Sequence, residues 1–111
     1  MKIGTDILYI PRLKKMIDTT PSFIKKVYTE KEIEIAQTFK NPLRFYASRF
    51  AGKEAIIKAT NGKYDFKEIE INKDIDGKPI PKILTDLDIN IELSLSFDNE
   101  YAIAFCIIEK K

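Results

Sequence analysis

Apolar and polar positions along the 111-residue chain follow two different rhythms, with the change near residue 62. The first half begins with "KIGTDILYI", a short apolar, β-branched run that predicts a strand with Asp6 at or near its end. Pro11 suits the first helical position, and "PRLKKMID" behind it predicts a short helix. Thr20-Pro21 repeats that signal ahead of "PSFIKKVY". Thr29 and Glu32 form an S/T-x-x-E capping box, which opens a helix through about Phe39. Asn41-Pro42 then starts the longest helix, residues 42 to about 60, and Asn61-Gly62 supplies the left-handed residues that end it.

Beyond that point the spacing shortens to two. "FKEIEI" reads as a strand, "DIDGKP" offers an Asp-Gly hairpin turn, and "INIELSLSF" puts Ile89, Ile91, Leu93, Leu95 and Phe97 on one face. "YAIAFCII" is apolar on both faces, so it should be a central strand, paired with its predecessor through the "DNE" turn. No repeat or linker interrupts the chain, so residues 1–111 are expected to form one domain. The expected class is α+β: a mostly antiparallel sheet packed on one long helix, with short helices after the first strand.

Composition adds exclusions. Hydrophobic residues at 44% and charged residues at 32% fit a globular chain rather than a disordered one. No window holds eighteen consecutive apolar residues, and "MKIGTDILYI" lacks a secretory h-region. The lone Cys106 cannot form an internal disulfide and sits in an apolar run. These features predict a cytoplasmic protein with no membrane partner. Histidine is absent, which excludes histidine-based acid–base chemistry, serine-type triads and ordinary zinc sites.

The overall charge of +2 conceals a division. Residues 1–63 carry thirteen Lys/Arg against six Asp/Glu, a net +7, whereas residues 64–111 carry six against eleven, a net −5. The front half therefore favours an anionic partner. Nucleic acid is the poorer fit, because aromatic residues are not interleaved with the basic ones as stacking platforms require.

One segment departs from ordinary helical patterning. In "RFAGKEAIIKA", Arg49 and Lys53 lie within about 40° of each other around a helix, and Glu54 and Lys58 lie within about 40° on a neighbouring stripe. Glu54 to Lys58 is the favoured i,i+4 ion pair, which accounts for half of the pattern by itself. The other two cations sit on an otherwise apolar stretch. Cations hold phosphate oxygens, and a carboxylate supplies one ligand to Mg²⁺, which keeps waters and substrate phosphates as its other ligands. A second carboxylate would then be needed, with Asp6 the candidate; alternatively Asp6 makes local turn hydrogen bonds.

These segments together carry a resemblance. "IGTDI", "FIKKVYTEKE", "RFYASRFAGKEAIIKA", "FKEIEINKDIDGKP" and "SLSFDNEYAIAF", in that order, resemble the holo-acyl-carrier-protein synthases, small bacterial 4′-phosphopantetheinyl transferases. The resemblance implies transfer of 4′-phosphopantetheine from coenzyme A to a serine of apo acyl carrier protein, with release of adenosine 3′,5′-bisphosphate. By the same resemblance Asp6 and Glu54 are the Mg²⁺ ligands and Lys58 the lysine beside the reacting phosphate. Arg49 and Lys53 would bind anionic groups of coenzyme A, with Gly62 adding backbone. Arg12, Met16 and Phe23 match the carrier-docking surface, to which Lys14, Lys15, Lys25 and Lys26 add charge suited to an acidic helix. A homotrimer with sites between subunits is also implied. The serine proton would go to Glu54 or to a metal-bound water.

The chain departs from the family pattern in places. Phe97 stands where many members have histidine, Ser48 where glycine is commoner, and Lys26 where arginine is usual. "TNGKYD" is shorter than the usual glycine-rich loop, which leaves the adenosine and 3′-phosphate contacts unassigned. The clipped loop and Phe97 motivate an alternative: a non-catalytic module of the same fold that binds carrier protein or coenzyme A.

Overall fold

The computed structural model describes residues 1–111. In chain order the elements are β1 (Lys2–Tyr9), α1 (Ile10–Thr19), α2 (Phe23–Val27), α3 (Glu30–Ala36), α4 (Leu43–Ala59), β2 (Ile69–Lys73), β3 (Pro79–Ile83), β4 (Ile89–Asp98) and β5 (Tyr101–Lys110). A single 3₁₀ turn, Phe66–Glu68, precedes β2. The class is α+β, as expected.

The strands form two antiparallel sheets where one was expected. β5 is central in the first, with β1 on one side (Asp6 opposite Ala104) and β4 on the other (Leu93 opposite Cys106). β2 and β3 form a separate hairpin. Proline explains the separation. Ile71 directs its N–H to Glu32 and its C=O to Arg49, so its register partner Pro81 turns its own backbone away from β2 and toward β4. Pro79 has the same parity, and neither proline has an N–H to give, so β3 cannot continue the pairing to β4.

Two further boundaries differ from expectation. "FKEIEI" begins with the 3₁₀ turn because Asp65 and Glu68 form a capping box of their own. The hairpin loop is five residues, Asp74 to Lys78; Asp74 Oδ1 accepts the N–H groups of Asp76 and Lys78, while Gly77 takes φ +86. The helix signals hold better. Thr29 and Glu32 make the reciprocal capping box, and α4 ends as Gly62, at φ +78, donates its N–H to Ile57 O at 2.9 Å.

α4 lies directly on the three-stranded sheet. Its contact face is a stripe of Ala47, Ala51, Ala55 and Ala59, all buried and four residues apart. β1 meets it at Gly4, where a Cβ would fall 1.9 Å from the Ala55 carbonyl oxygen. The core around this contact includes Leu13, Tyr28, Ile56, Ile69, Ile71, Ile83 and Cys106, all essentially without exposure. Cys106 is free, and burial pushes its thiol pKa up.

The opposite face of the β1–β5 pair is apolar and uncovered. Ile3 and Ile7 on β1 are 60% and 65% exposed, and Tyr101 and Phe105 on β5 join them. No helix in the structure is long and apolar enough to cross a membrane.

Candidate active site

Asp6 shares the inward face of β1 with Gly4 and Leu8, because side chains alternate along a strand. It is the fifth of eight strand residues, so the strand runs on past it. The close approach of Gly4 to α4 brings the carboxylate to the last turn of the helix. There the Lys58 ammonium donates to Asp6 Oδ1 at 2.9 Å and to the Thr5 carbonyl at 3.3 Å. The Asp6 side chain is 11% exposed, whereas Lys58 is half-exposed and reaches it from solvent.

Glu54, one turn earlier on α4, is half-buried. Burial pushes its carboxyl pKa up and the charge of Asp6 pushes it further; Lys58 offsets part of the effect. Asp6, Glu54 and Lys58 thus form one cluster, brought together from positions far apart in the chain. The arrangement holds two anionic side chains against one cation.

That donor set fits a hard divalent cation. No third carboxylate and no sulfur or imidazole joins the pair, so a bound ion would keep waters and substrate oxygens, as Mg²⁺ does. A cation set between Asp6 and Glu54 would also relieve the repulsion that raises the Glu54 pKa.

Two residues expected beside this cluster lie elsewhere. Lys53 is fully buried on the side of α4 facing α3 and β2, where it pairs with Glu32 Oε1 at 2.6 Å. It also donates to Val27 O at 2.7 Å and Phe66 O at 3.1 Å, so all three of its hydrogens have acceptors inside the chain. This corrects the expectation that Lys53 binds coenzyme A: it has no donor left for a phosphate. Arg49 is also buried, with Nε on Ile71 O at 3.2 Å, Nη1 on Ser48 Oγ at 3.1 Å and the Phe45 ring 4.3 Å away. Burial lowers its pKa, and Glu32 opposes that.

Arg49 does reach a cleft, but one at the opposite end of α4. Arg44, Lys73, Phe45 and Phe97 line it with Arg49, around a volume of about 330 Å³. The Arg44 guanidinium lies 4.1 Å over the Phe97 ring. Sequence reading missed Arg44 and Lys73 because nothing local marks them; they converge only through the β2–β3 hairpin and β4. Gly62 is exposed just beyond α4, with its N–H already committed to Ile57. In α1, Arg12 is exposed and Met16 half-buried; Phe23 in α2 is half-buried, its ring 5.9 Å from that of Phe50. Lys14 pairs with Asp18 at 2.7 Å, and Lys15, Lys25 and Lys26 are exposed.

Residues 2–106 match the profile of the 4′-phosphopantetheinyl transferase superfamily. The chain belongs to that superfamily. Among its relatives in the superfamily, the holo-[acyl-carrier-protein] synthase of Wolbachia sp. subsp. Drosophila simulans is 42% identical over 112 residues, covering 96% of this chain and 95% of that one. The synthase of Clostridium novyi is 41% identical, with 96% and 86% covered. Among solved superfamily structures, the Bacillus anthracis synthase in complex with CoA (3′,5′-ADP) superposes with a TM-score of 0.89 at 34% identity, over 99% of this chain and 96% of that one. The Helicobacter pylori synthase in complex with coenzyme A gives 0.79 at 26% identity, over 96% and 99%.

Proposed function

We propose that the chain is a holo-acyl-carrier-protein synthase, moving the 4′-phosphopantetheine group of coenzyme A to a serine hydroxyl of apo acyl carrier protein. The observation that carries this reading is the convergence of Asp6, Glu54 and Lys58 at one solvent-accessible point in a member of this superfamily. The serine oxygen forms a bond to the phosphorus bearing pantetheine. The bond from that phosphorus to the bridging oxygen breaks, and adenosine 3′,5′-bisphosphate leaves with the electron pair.

Asp6 and Glu54 would hold Mg²⁺, which when bound supplies Lewis-acid stabilisation of the pyrophosphate oxygens. Lys58, on its flexible stem, is placed to offset charge on the transferring phosphoryl group. With no histidine in the chain, the serine proton would go to Glu54 or to a water at this cluster. The exposed Arg12 and the lysines of α1 and α2 suit an acidic carrier, with Met16 and Phe23 as apolar contacts. The free thiol of Cys106 suits a reducing cytoplasm.

The exposed apolar face of β1 and β5 supports assembly into the homotrimer that the family resemblance implies. Sites between subunits would also give the Arg49 cleft a part. It lies at the far end of α4 from Glu54, and a neighbouring subunit could present it to the same coenzyme A molecule.

Intact-mass analysis of apo carrier protein tests the proposal. With coenzyme A and Mg²⁺ the carrier should gain one phosphopantetheine, and without Mg²⁺ it should not. Undiminished transfer by Glu54→Gln would remove the role given to that residue. Tight carrier binding without modification would instead identify a binding module of the same fold.

A further inference from the structure

The Glu32–Lys53 pair is the most deeply buried charge pair in the chain, both side chains being fully inaccessible. Each of its polar atoms is used. Glu32 Oε1 accepts from Thr29 N–H at 2.9 Å as well as from Lys53, and Oε2 accepts from Ile71 N–H at 2.8 Å. Lys53 reaches the end of α2 through Val27 O and the 3₁₀ turn through Phe66 O. One point on α4 is thereby tied to α2, α3, the 3₁₀ turn and β2.

Stability alone is a weak reason for such a pair. Removing two charges from water costs several kcal/mol per ion, and apolar residues of similar volume often serve as well or better. The position on α4 suggests another reason. The helix rests on the sheet through Ala47, Ala51, Ala55 and Ala59, a smooth stripe that allows close approach but gives little interlock against rolling. Lys53 immediately precedes Glu54. A roll of α4 by about 10° would carry a group about 6 Å from the axis by roughly 1 Å, and a misplacement of that size can cost on the order of 10²-fold in rate.

We propose that Glu32 and Lys53 are positioning residues for the transfer reaction: their buried pair fixes the rotation of α4, so that Glu54 is aimed at Asp6. Neither touches substrate. The proposal rests on the function assigned above, and its readouts are chosen to separate the two.

Glu32→Asp keeps both charges but withdraws the carboxylate by one methylene. Its control is Ile83→Val, which removes one methylene from a buried side chain on β3, away from the pair. Two measurements are made on each folded protein: steady-state kinetics, giving kcat and KM for coenzyme A, and Mn²⁺ affinity by electron paramagnetic resonance. Glu32→Asp is expected to lose about 10- to 100-fold in kcat and in Mn²⁺ affinity, with coenzyme A KM changed less than about threefold. Ile83→Val should match wild type in both. Equal behaviour of the two variants would overturn the proposal. If Glu32→Asp does not fold, Lys53→Arg is read against the same control. Failure of both to fold also overturns it, because the pair would then be holding the fold rather than aiming a side chain. A wild-type protein without transferase activity would refute the assigned function, and Mn²⁺ affinity would then decide the positioning role alone.

Discussion

The Lys58 ammonium sits 2.9 Å from Asp6 Oδ1, an ion pair closed across 52 residues between the first strand and the end of the longest helix. In the free protein this lysine occupies one of the oxygens that a metal ion would need. Lys58→Met should therefore bind Mn²⁺ several-fold more tightly than wild type, since no internal cation has to be displaced. The same variant should lose on the order of 10²-fold or more in turnover, because charge at the transferring phosphoryl group is no longer offset. Mn²⁺ titration and the carrier-modification assay check the two halves separately. Weaker Mn²⁺ binding would show that Lys58 supports the metal site rather than competing for it.

Gly4 and Gly62 should respond differently to alanine. A Cβ at Gly4 would fall 1.9 Å from the Ala55 carbonyl oxygen, with backbone rather than a mobile side chain in the way. Gly4→Ala should cost about 3 kcal/mol or more, because strand or helix must move. Gly62→Ala meets no atom within 4 Å and suffers only from φ +78, a cost of about 1 kcal/mol. Denaturant midpoints should rank wild type, Gly62→Ala, Gly4→Ala, and the last should also lose Mn²⁺ affinity because Asp6 moves with the strand.

The uncovered face of β1 and β5 predicts a separation of assembly from folding. Ile7 lies opposite Ile103 in the register, in the middle of that face. Ile7→Glu should leave the thermal midpoint of the chain within several degrees of a wild-type monomer while abolishing the proposed trimer. Analytical ultracentrifugation reads the mass. If sites lie between subunits, transferase activity should fall with it.

Alkaline pH should unfold the protein partly through its tyrosines. Tyr64 donates to Asp86 Oδ2 at 2.7 Å, and this bond holds its phenol pKa up to about 12. Burial raises that of Tyr28 further still. Unfolded tyrosines ionise near pH 10, so the contribution is intact below about pH 10 and is lost as pH rises toward 12. Tyr64→Phe should be less stable at neutral pH and should lose stability less steeply between pH 10 and 12. Urea midpoints across that interval decide it.

Where the information was local, the sequence could be read closely. Thr29-x-x-Glu32 marked a helix start that the structure contains, and Asn61-Gly62 marked a helix end. The apolar run at residues 101–108 identified the central strand. Asp6, Glu54 and Lys58 could be grouped because a family motif spans them. The failures were tertiary. The charge of Lys53 suggested solvent and phosphate, but its acceptors come from three separate segments, none visible in helical spacing. Glu32 was read as a cap, which it is, with nothing local to signal that its carboxylate also covers the N–H of Ile71. The split into two sheets followed from Pro79 and Pro81, whose effect depends on which edge they face.

β5 is the only strand that pairs with β1, and Asp6 is held opposite Ala104. Asp6 therefore waits for residue 104, far along the chain, before it has a neighbour on its sheet. A chain cut short at the "DNE" turn would retain Asp6, Glu54 and Lys58 in full and still have no fixed place for the first of them. Such a fragment should be inert, and a separately added peptide of residues 101–110 that restored function would act simply by completing the sheet.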